Sequence, residues 1–173
     1  SLEASPGGVW RDERRFIWLY GLVVPVLPFA AYLLAAATGS DLGWYFGPIA
    51  VWGIVPLLDW IRSVDVTNPP ESEYSRLDAD PYYRAVTVAY IPLQYAGLIW
   101  ACHMWVNGDL STTASLGLAL TVAFVAGIGI NTAHELGHKR PAVERWLAKV
   151  ALAQTCYGHF VIEHNRGHHT RVS

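Results

Sequence analysis

Two clusters of potential metal ligands dominate the chemistry of this sequence. Six of its seven histidines lie between residues 134 and 169, five of them in the segments His134–His138 and Glu163–His169, which follow a long apolar stretch. Neutral imidazole is a common ligand for iron, zinc and copper, and polar groups are costly beside hydrocarbon unless they are paired. The sequence therefore predicts a histidine-rich metal site at the rim of a membrane domain.

The spacing within the clusters indicates more than one metal ion. His134 and His138 are four residues apart, so they share one face of a helix, and His164 and His168 repeat that spacing. His169 is adjacent to His168, and neighbouring side chains on a helix diverge by about 100°. Two metal ions lying close together would allow each of these histidines to bind a different ion.

The acidic residues beside the histidines have a supporting role in this interpretation. Glu135 and Glu163 flank the ligands, where a carboxylate can accept a hydrogen bond from an imidazole N–H or bind metal directly. We identify no catalytic residue apart from the candidate metal ligands. Lys139 and Arg166 are interpreted as cations at the membrane interface.

The ligand count is incomplete for two metal ions. Five histidines are too few for two ions with four to six ligands each. His159 stands in an apolar stretch and is predicted to be a packed, hydrogen-bonded side chain, and His103 to be structural. We therefore expect further ligands beyond Ser173, and we expect the chain to be an internal piece of a longer protein.

The composition is that of a membrane protein. Hydrophobic residues make up 53% of the chain and charged residues only 15%, against about 25% in typical soluble domains. The net charge of −2 provides no basic surface for nucleic acid, which we exclude as a partner. Cys102 and Cys156 both lie in apolar surroundings and are predicted to be packing residues without a disulfide.

The elements that must position the clusters are transmembrane helices. Four segments are apolar and long enough to cross a bilayer, which takes about 20 helical residues. They are Phe16–Ala37, Leu42–Ile61, Ala85–Val106 and Thr113–Asn131. The fold class is therefore all-α, a polytopic transmembrane helical bundle that forms part of one membrane-embedded domain.

The segment Trp146–Ile162 is also apolar, but it is predicted to be re-entrant or interfacial. A full crossing there would place the two histidine clusters on opposite sides of the membrane, where they could not share a metal centre. The twelve Lys and Arg residues all lie outside the short connections Thr38–Asp41 and Asn107–Thr112. Basic loops are typically cytoplasmic, so both clusters are expected to face the cytoplasm.

Several stretches of the chain resemble one known family. Asn131–Lys139, Tyr157–His169, Pro56–Asp59 and Asn68–Glu71 are similar to the membrane-bound alkane hydroxylases (alkane 1-monooxygenases) of bacteria, within the fatty-acid desaturase and hydroxylase superfamily. The resemblance covers essentially the whole chain. In that family a third histidine cluster follows later in the sequence, which agrees with the ligand count.

The resemblance implies a non-haem diiron centre that uses O2 to hydroxylate the terminal carbon of an n-alkane in the bacterial inner membrane. Electrons would come from rubredoxin, reduced by an NADH-dependent rubredoxin reductase. The implied iron ligands are His134, His138, His164, His168 and His169. In this family side-chain bulk on the second span limits substrate length, and the aligned position is Val51, beside Trp52. A valine there is expected to admit medium-to-long alkanes; the alternative is that Val51 simply faces lipid.

Three other functions remain open at this point. His-Glu-x-x-His is also the zinc metalloprotease signature, with Glu135 as general base, although a mononuclear zinc site would not need the second cluster. A different desaturase-like membrane hydroxylase would share both clusters. A non-enzymatic membrane protein with solvated histidines would bind no stoichiometric metal.

Overall fold

A computed structural model describes residues 10–62, 69–139 and 141–163 of the 173-residue chain. Every regular element within these ranges is helical. Four helical segments are long and apolar enough to cross a membrane, and we number them spans 1 to 4: Arg15–Thr38, Asp41–Ile61, Pro81–Asn107 and Thr112–Gly137. They contain the four predicted segments and extend them by a few residues, which confirms the all-α polytopic bundle.

Span 1 changes its helical geometry where its prolines stand. It begins as a 3₁₀ helix over Arg15–Val26 and continues as an α-helix over Leu27–Thr38. Pro25 and Pro28 lie on either side of this change and cannot donate the N–H bond of a regular α-helix. Both proline side chains are fully buried, so the change of geometry lies inside the bundle rather than against lipid.

Spans 1 and 2 form a tight hairpin. Gly39 ends span 1 in the left-handed conformation, with a φ of 64°, and Ser40 then accepts a hydrogen bond from the amide of Leu42. The two spans approach each other so closely that a Cβ on Gly43 would lie 2.3 Å from the backbone nitrogen of Ala35. Glycine is therefore required at position 43.

Span 2 is composite. It contains a π-helical turn over Ala50–Ile54, followed by an α-helix over Val55–Arg62. Pro56 has no N–H to donate to the carbonyl four residues earlier, that of Trp52, and the wider turn stands at this point. The preceding elements of the span are a 3₁₀ turn over Asp41–Tyr45 and a short α-helix over Phe46–Ile49.

Span 4 is held against span 2 by a buried hydroxyl. The side chain of Thr121 is fully buried; its Oγ1 accepts a hydrogen bond from the amide of Gly47 (3.0 Å) and donates one to the carbonyl of Trp44 (2.7 Å). Close approach is possible because residue 47 is a glycine: a Cβ there would lie 2.7 Å from the Cα of Thr121. This contact fixes the register between the two spans.

Spans 3 and 4 also pack closely. The hydroxyl of Tyr90 donates to the carbonyl of Val125 at 3.0 Å, and the buried amide side chain of Gln94 lies against Gly129. Span 3 begins at Pro81, where the side chain of Asp80 accepts a hydrogen bond from the amide of Tyr82 at 2.8 Å.

After span 4 the chain forms a twelve-residue helix, Ala142–Ala153, which we call the return helix, and then a short helix, Phe160–Glu163. The buried face of the return helix packs on the C-terminal part of span 4, with Ala148, Ala151 and Leu152 against Ala133 and Leu136. Between spans 2 and 3 lie two short elements, a 3₁₀ turn over Glu71–Glu73 and a helix over Tyr74–Ala79.

Candidate metal centre

His134 and His138 lie on one face of the last turn of span 4, as the four-residue spacing predicts. Their Nε2 atoms are 3.0 Å apart, and their ring centroids are separated by 4.5 Å. Two imidazole nitrogens bound to one metal ion at about 2.1 Å, at right angles to each other, would lie about 3 Å apart. The separation of the two Nε2 atoms therefore matches that of two imidazoles on one metal ion, and it is also the distance of a hydrogen bond between the two rings.

Glu135 lies beside the first of these histidines. Its Oε1 is 3.2 Å from Nδ1 of His134. In the tautomer with a proton on Nδ1, His134 would donate to this carboxylate, and the lone pair would reside on Nε2, the atom that faces His138. A role of Glu135 in orienting a metal-bound imidazole stays a prediction.

The position of the pair follows from the length of span 4. Its 26 residues span about 39 Å, against about 30 Å of hydrocarbon in a bilayer. Ala133 and Leu136 are buried in the bundle, whereas His138 is exposed and His134 is about one-third exposed. The helix therefore carries the two histidines to the edge of its apolar segment.

The return helix runs back along spans 3 and 4. At its start Glu144 pairs with Arg84, three residues into span 3, and further along the carbonyl of Val150 accepts a hydrogen bond from Tyr95 at 2.7 Å. It passes span 4 at Gly137, where a Cβ would lie 3.9 Å from Ala148. This is an ordinary van der Waals distance, so the packing of the return helix at this point does not itself require a glycine.

A turn then sends the chain back toward His134. Cys156 adopts a left-handed conformation, with a φ of 54°, and the amides of Cys156 and Tyr157 donate to the carbonyls of Ala153 and Leu152. The short helix that follows brings the ring of Phe160 to 6.3 Å from the ring of His134. The residues just before the second histidine cluster therefore lie beside the first cluster.

The second cluster itself lies outside the described residues: His164, His168 and His169 are all in this part of the chain. Glu163, the last described residue, is exposed, and its Oε2 lies 3.9 Å from Nε2 of His159. Glu163 therefore approaches His159 in this structure.

Within residues 10–62, 69–139 and 141–163, no group of three or more His, Cys, Asp or Glu side chains could hold a metal ion. The described part of the chain brings together two potential ligands, His134 and His138, with the carboxylate of Glu135 beside them. Imidazole donors suit a metal such as iron or zinc, and a complete site would need ligands from other segments.

The two candidate channel residues lie in the π-helical turn of span 2. Val51 is half-buried, whereas Trp52 is exposed and its ring meets that of Phe124 edge-on at 4.7 Å. Phe124 lies ten residues before His134 on span 4, a helical rise of about 15 Å. Trp52 thus lies on the outer surface of the bundle, at a level of span 4 about 15 Å from His134.

Three side chains differ from their predicted surroundings. His159 is exposed rather than packed, with its ring edge-on to that of Tyr157, because it stands in the turn after the return helix. Cys102 and Cys156 are likewise exposed rather than buried. Cys102 lies on the outer face of span 3, and Cys156 lies in the left-handed turn after the return helix. His103 contacts Asn107 at the far end of span 3, as expected of a structural residue.

Sequence reasoning missed two ion pairs near the centre. Lys139, interpreted as an interface cation, pairs with Asp78 of the helix between spans 2 and 3. Glu144 is buried in the return helix and pairs with Arg84 at 2.5 Å. A signal existed for the second pair, because Glu144 is the single acid on a face otherwise formed by Ala148, Ala151 and Leu152.

Comparison with known proteins identifies relatives of the chain. No protein-family model matches it. Alkane 1-monooxygenase 1 of Alcanivorax borkumensis is 40% identical over 163 residues, which are 94% of this chain and 40% of the relative. The alkane 1-monooxygenase of Pseudomonas putida is 40% identical over 173 residues, covering 99% of this chain and 42% of the relative. That of Ectopseudomonas oleovorans is 39% identical over 174 residues, with the same coverage.

The chain thus spans less than half the length of these relatives, while nearly all of it is matched. The matched region includes the four apolar spans and the His134–His138 pair. Over the region that it spans, the chain is therefore a homologue of alkane 1-monooxygenases.

Proposed function

We propose that the protein to which this chain belongs is a membrane-bound, O2-dependent hydroxylase that converts n-alkanes to 1-alkanols at a non-haem diiron centre. The observation that carries this proposal is the pair of facing Nε2 atoms of His134 and His138 at the end of an apolar span. Relatives named alkane 1-monooxygenase, matched over nearly the whole chain, support the substrate class.

The five histidines of the two clusters are the proposed iron ligands from this chain. His134 and His138 would come from span 4, and His164, His168 and His169 from the segment after Phe160. The ring of Phe160 lies close to that of His134, which supports the proposal that the two histidine clusters lie together. Bound iron would supply the activation of O2 and the oxidation of the terminal C–H bond.

The residues of the chain would bind the metal, orient its ligands and admit an apolar substrate. Glu135 would hold the proton of His134 on Nδ1. The apolar helices would let an alkane reach the centre from the bilayer, with Val51 on its path in span 2. No residue of the chain is required as a separate acid or base, because the metal centre carries the oxidative chemistry.

The proposed orientation places the centre on the cytoplasmic side of the bacterial inner membrane. The two short connections between spans, residues 38–41 and 107–112, carry no Lys or Arg, whereas the histidine end of the bundle carries Arg84, Lys139 and Lys149. The proposed electron donor is rubredoxin, reduced through an NADH-dependent reductase. Rubredoxin would bring the electrons to the centre from the cytoplasm.

The test is turnover by the full-length protein in membrane vesicles, supplied with NADH, rubredoxin reductase, rubredoxin and a series of n-alkanes. The expected product is the 1-alkanol, formed only with O2 and lost in His134→Ala. The matched control is His103→Ala, which removes an exposed histidine at the opposite end of span 3 and should leave turnover intact. Metal-dependent peptide hydrolysis without alkane oxidation would instead establish the zinc protease reading.

A further inference from the structure

A buried carboxylate stands at the start of the return helix. Glu144 is only 3% exposed, and its Oε1 lies 2.5 Å from Nε of Arg84. Its second oxygen, Oε2, has no hydrogen-bond partner within the described part of the chain. Burying an ionised carboxylate costs free energy unless a cation compensates its charge. The contact with Arg84 therefore offsets the cost of placing Glu144 at this position.

The ion pair joins two elements that are distant in sequence. Arg84 lies in the first turn of span 3 and Glu144 in the first turn of the return helix. A second attachment follows from Tyr95 of span 3 to the carbonyl of Val150. Positions 84 and 95 are about 16 Å apart along span 3, and two attachments at this separation fix both the depth and the tilt of the return helix.

The tilt of the return helix determines where the chain goes next. The left-handed turn at Cys156 follows directly, and Phe160 then meets the ring of His134 at 6.3 Å. A rotation of the return helix about the Tyr95 contact would carry the short helix Phe160–Glu163 away from His134. The second histidine cluster, which begins at residue 164, would move with it.

The geometry points to Arg84 as a positioning residue for the metal centre: its guanidinium neutralises the buried carboxylate of Glu144, and this keeps the return helix packed on spans 3 and 4 so that the two histidine clusters can share metal. This inference rests on the proposed function, and it assigns neither residue to metal or substrate. The pair acts through the return helix alone.

The two halves of the pair are not equivalent. The side chain of Arg84 is 54% exposed, so water can solvate it after its partner is removed. Glu144 is buried, so loss of Arg84 leaves an unpaired carboxylate inside the protein. Removing one partner of a buried pair costs far more than replacing both by neutral groups. Arg84→Gln should therefore be more damaging than the double variant.

The first arm of the experiment measures iron affinity in the full-length protein. Arg84→Gln is expected to weaken iron binding about tenfold, and the double variant with Glu144→Gln about twofold. Glu144→Gln alone should also stay within about twofold, and Arg84→Lys should retain most of the affinity because it keeps a cation. The matched control is Glu73→Gln, which breaks a more exposed ion pair with Arg76 on the segment between spans 2 and 3.

The second arm uses metal-free protein and so does not depend on the proposed function. Spin labels on the two exposed cysteines, Cys102 of span 3 and Cys156 after the return helix, report the position of that helix by their separation. Any other cysteines of the full-length protein would be replaced. Arg84→Gln should lengthen or broaden the distance distribution, and the double variant should restore it.

Each outcome decides the inference. Weaker iron binding with a shifted label distance in Arg84→Gln, both recovered in the double variant, supports positioning. An unchanged distance in Arg84→Gln, or a double variant as impaired as the single one, overturns it. A wild-type protein without iron would refute the proposed function, while the label distances would still decide whether the pair positions the return helix.

Discussion

The Nε2 atoms of His134 and His138 lie 3.0 Å apart at the end of span 4, and the Nδ1 atom of His134 contacts Glu135. The two contacts involve different nitrogens of one ring. Nδ1 lies beside a carboxylate, and Nε2 faces the second histidine. In the proposed metal centre, Nε2 of both residues would therefore bind the ion.

Glu135→Ala should weaken metal binding, because His134 then loses the acceptor that fixes its ring orientation and proton position. The expected loss of affinity is about tenfold, as for other carboxylates that support a metal-bound histidine. Titration of the metal-free, full-length protein with iron measures it. Glu71→Ala, an exposed acid on the segment between spans 2 and 3, is the control, and equal affinity in both variants would contradict the assigned role.

Thr121→Val should destabilise the bundle, because valine keeps the shape of threonine but removes the hydroxyl. The amide of Gly47 loses its acceptor and the carbonyl of Trp44 loses a donor, in a position where no water replaces them. We expect a cost of about 2 kcal/mol, measured by thermal unfolding in detergent micelles. Thr113→Val, at an exposed position of the same span, should leave the midpoint unchanged.

Gly43→Ala should also destabilise the bundle, because its Cβ would overlap the backbone of Ala35, which cannot move aside. The expected loss is about 3 kcal/mol, at the upper end for overpacking. Gly53→Ala is the control within the same span, since a Cβ there meets no atom within 4 Å. Similar unfolding midpoints for the two variants would refute the close packing of the first hairpin.

Val51→Trp should shorten the range of alkanes that the full-length protein oxidises, with the longest substrates lost first. A half-buried valine in the π-helical turn leaves space that the indole ring would fill. The measurement is the product profile over a series of chain lengths. Leu42→Trp adds the same bulk at an exposed position of the same span, and a profile shared by both variants would assign Val51 to the lipid face.

The four spans and the shared helical face of His134 and His138 could be predicted from the sequence because both depend on local patterns. Apolar runs of the required length specify spans 1 to 4, and a spacing of four specifies a shared helical face for His134 and His138. Long-range pairings were beyond such reasoning. Neither Arg84 with Glu144 nor Lys139 with Asp78 is close in sequence, and each pairing exists only because the return helix and the middle segment fold back onto spans 3 and 4.

The surroundings of His159 show the same limit at short range. Its apolar neighbours predicted burial, but the return helix ends at Ala153 and the left-handed turn at Cys156 exposes the residues that follow. A positive φ at a residue other than glycine leaves no clear pattern in the sequence. The turn nevertheless determines how the chain comes back to His134.

A single dinuclear centre shared by the two histidine clusters can be tested by its metal content. Iron and zinc would be measured in the full-length protein, with His134→Ala and His168→Ala analysed alongside. We expect two irons per chain in the wild type and loss of iron in either variant. One zinc per chain, or iron that persists when His168 is removed, would contradict it.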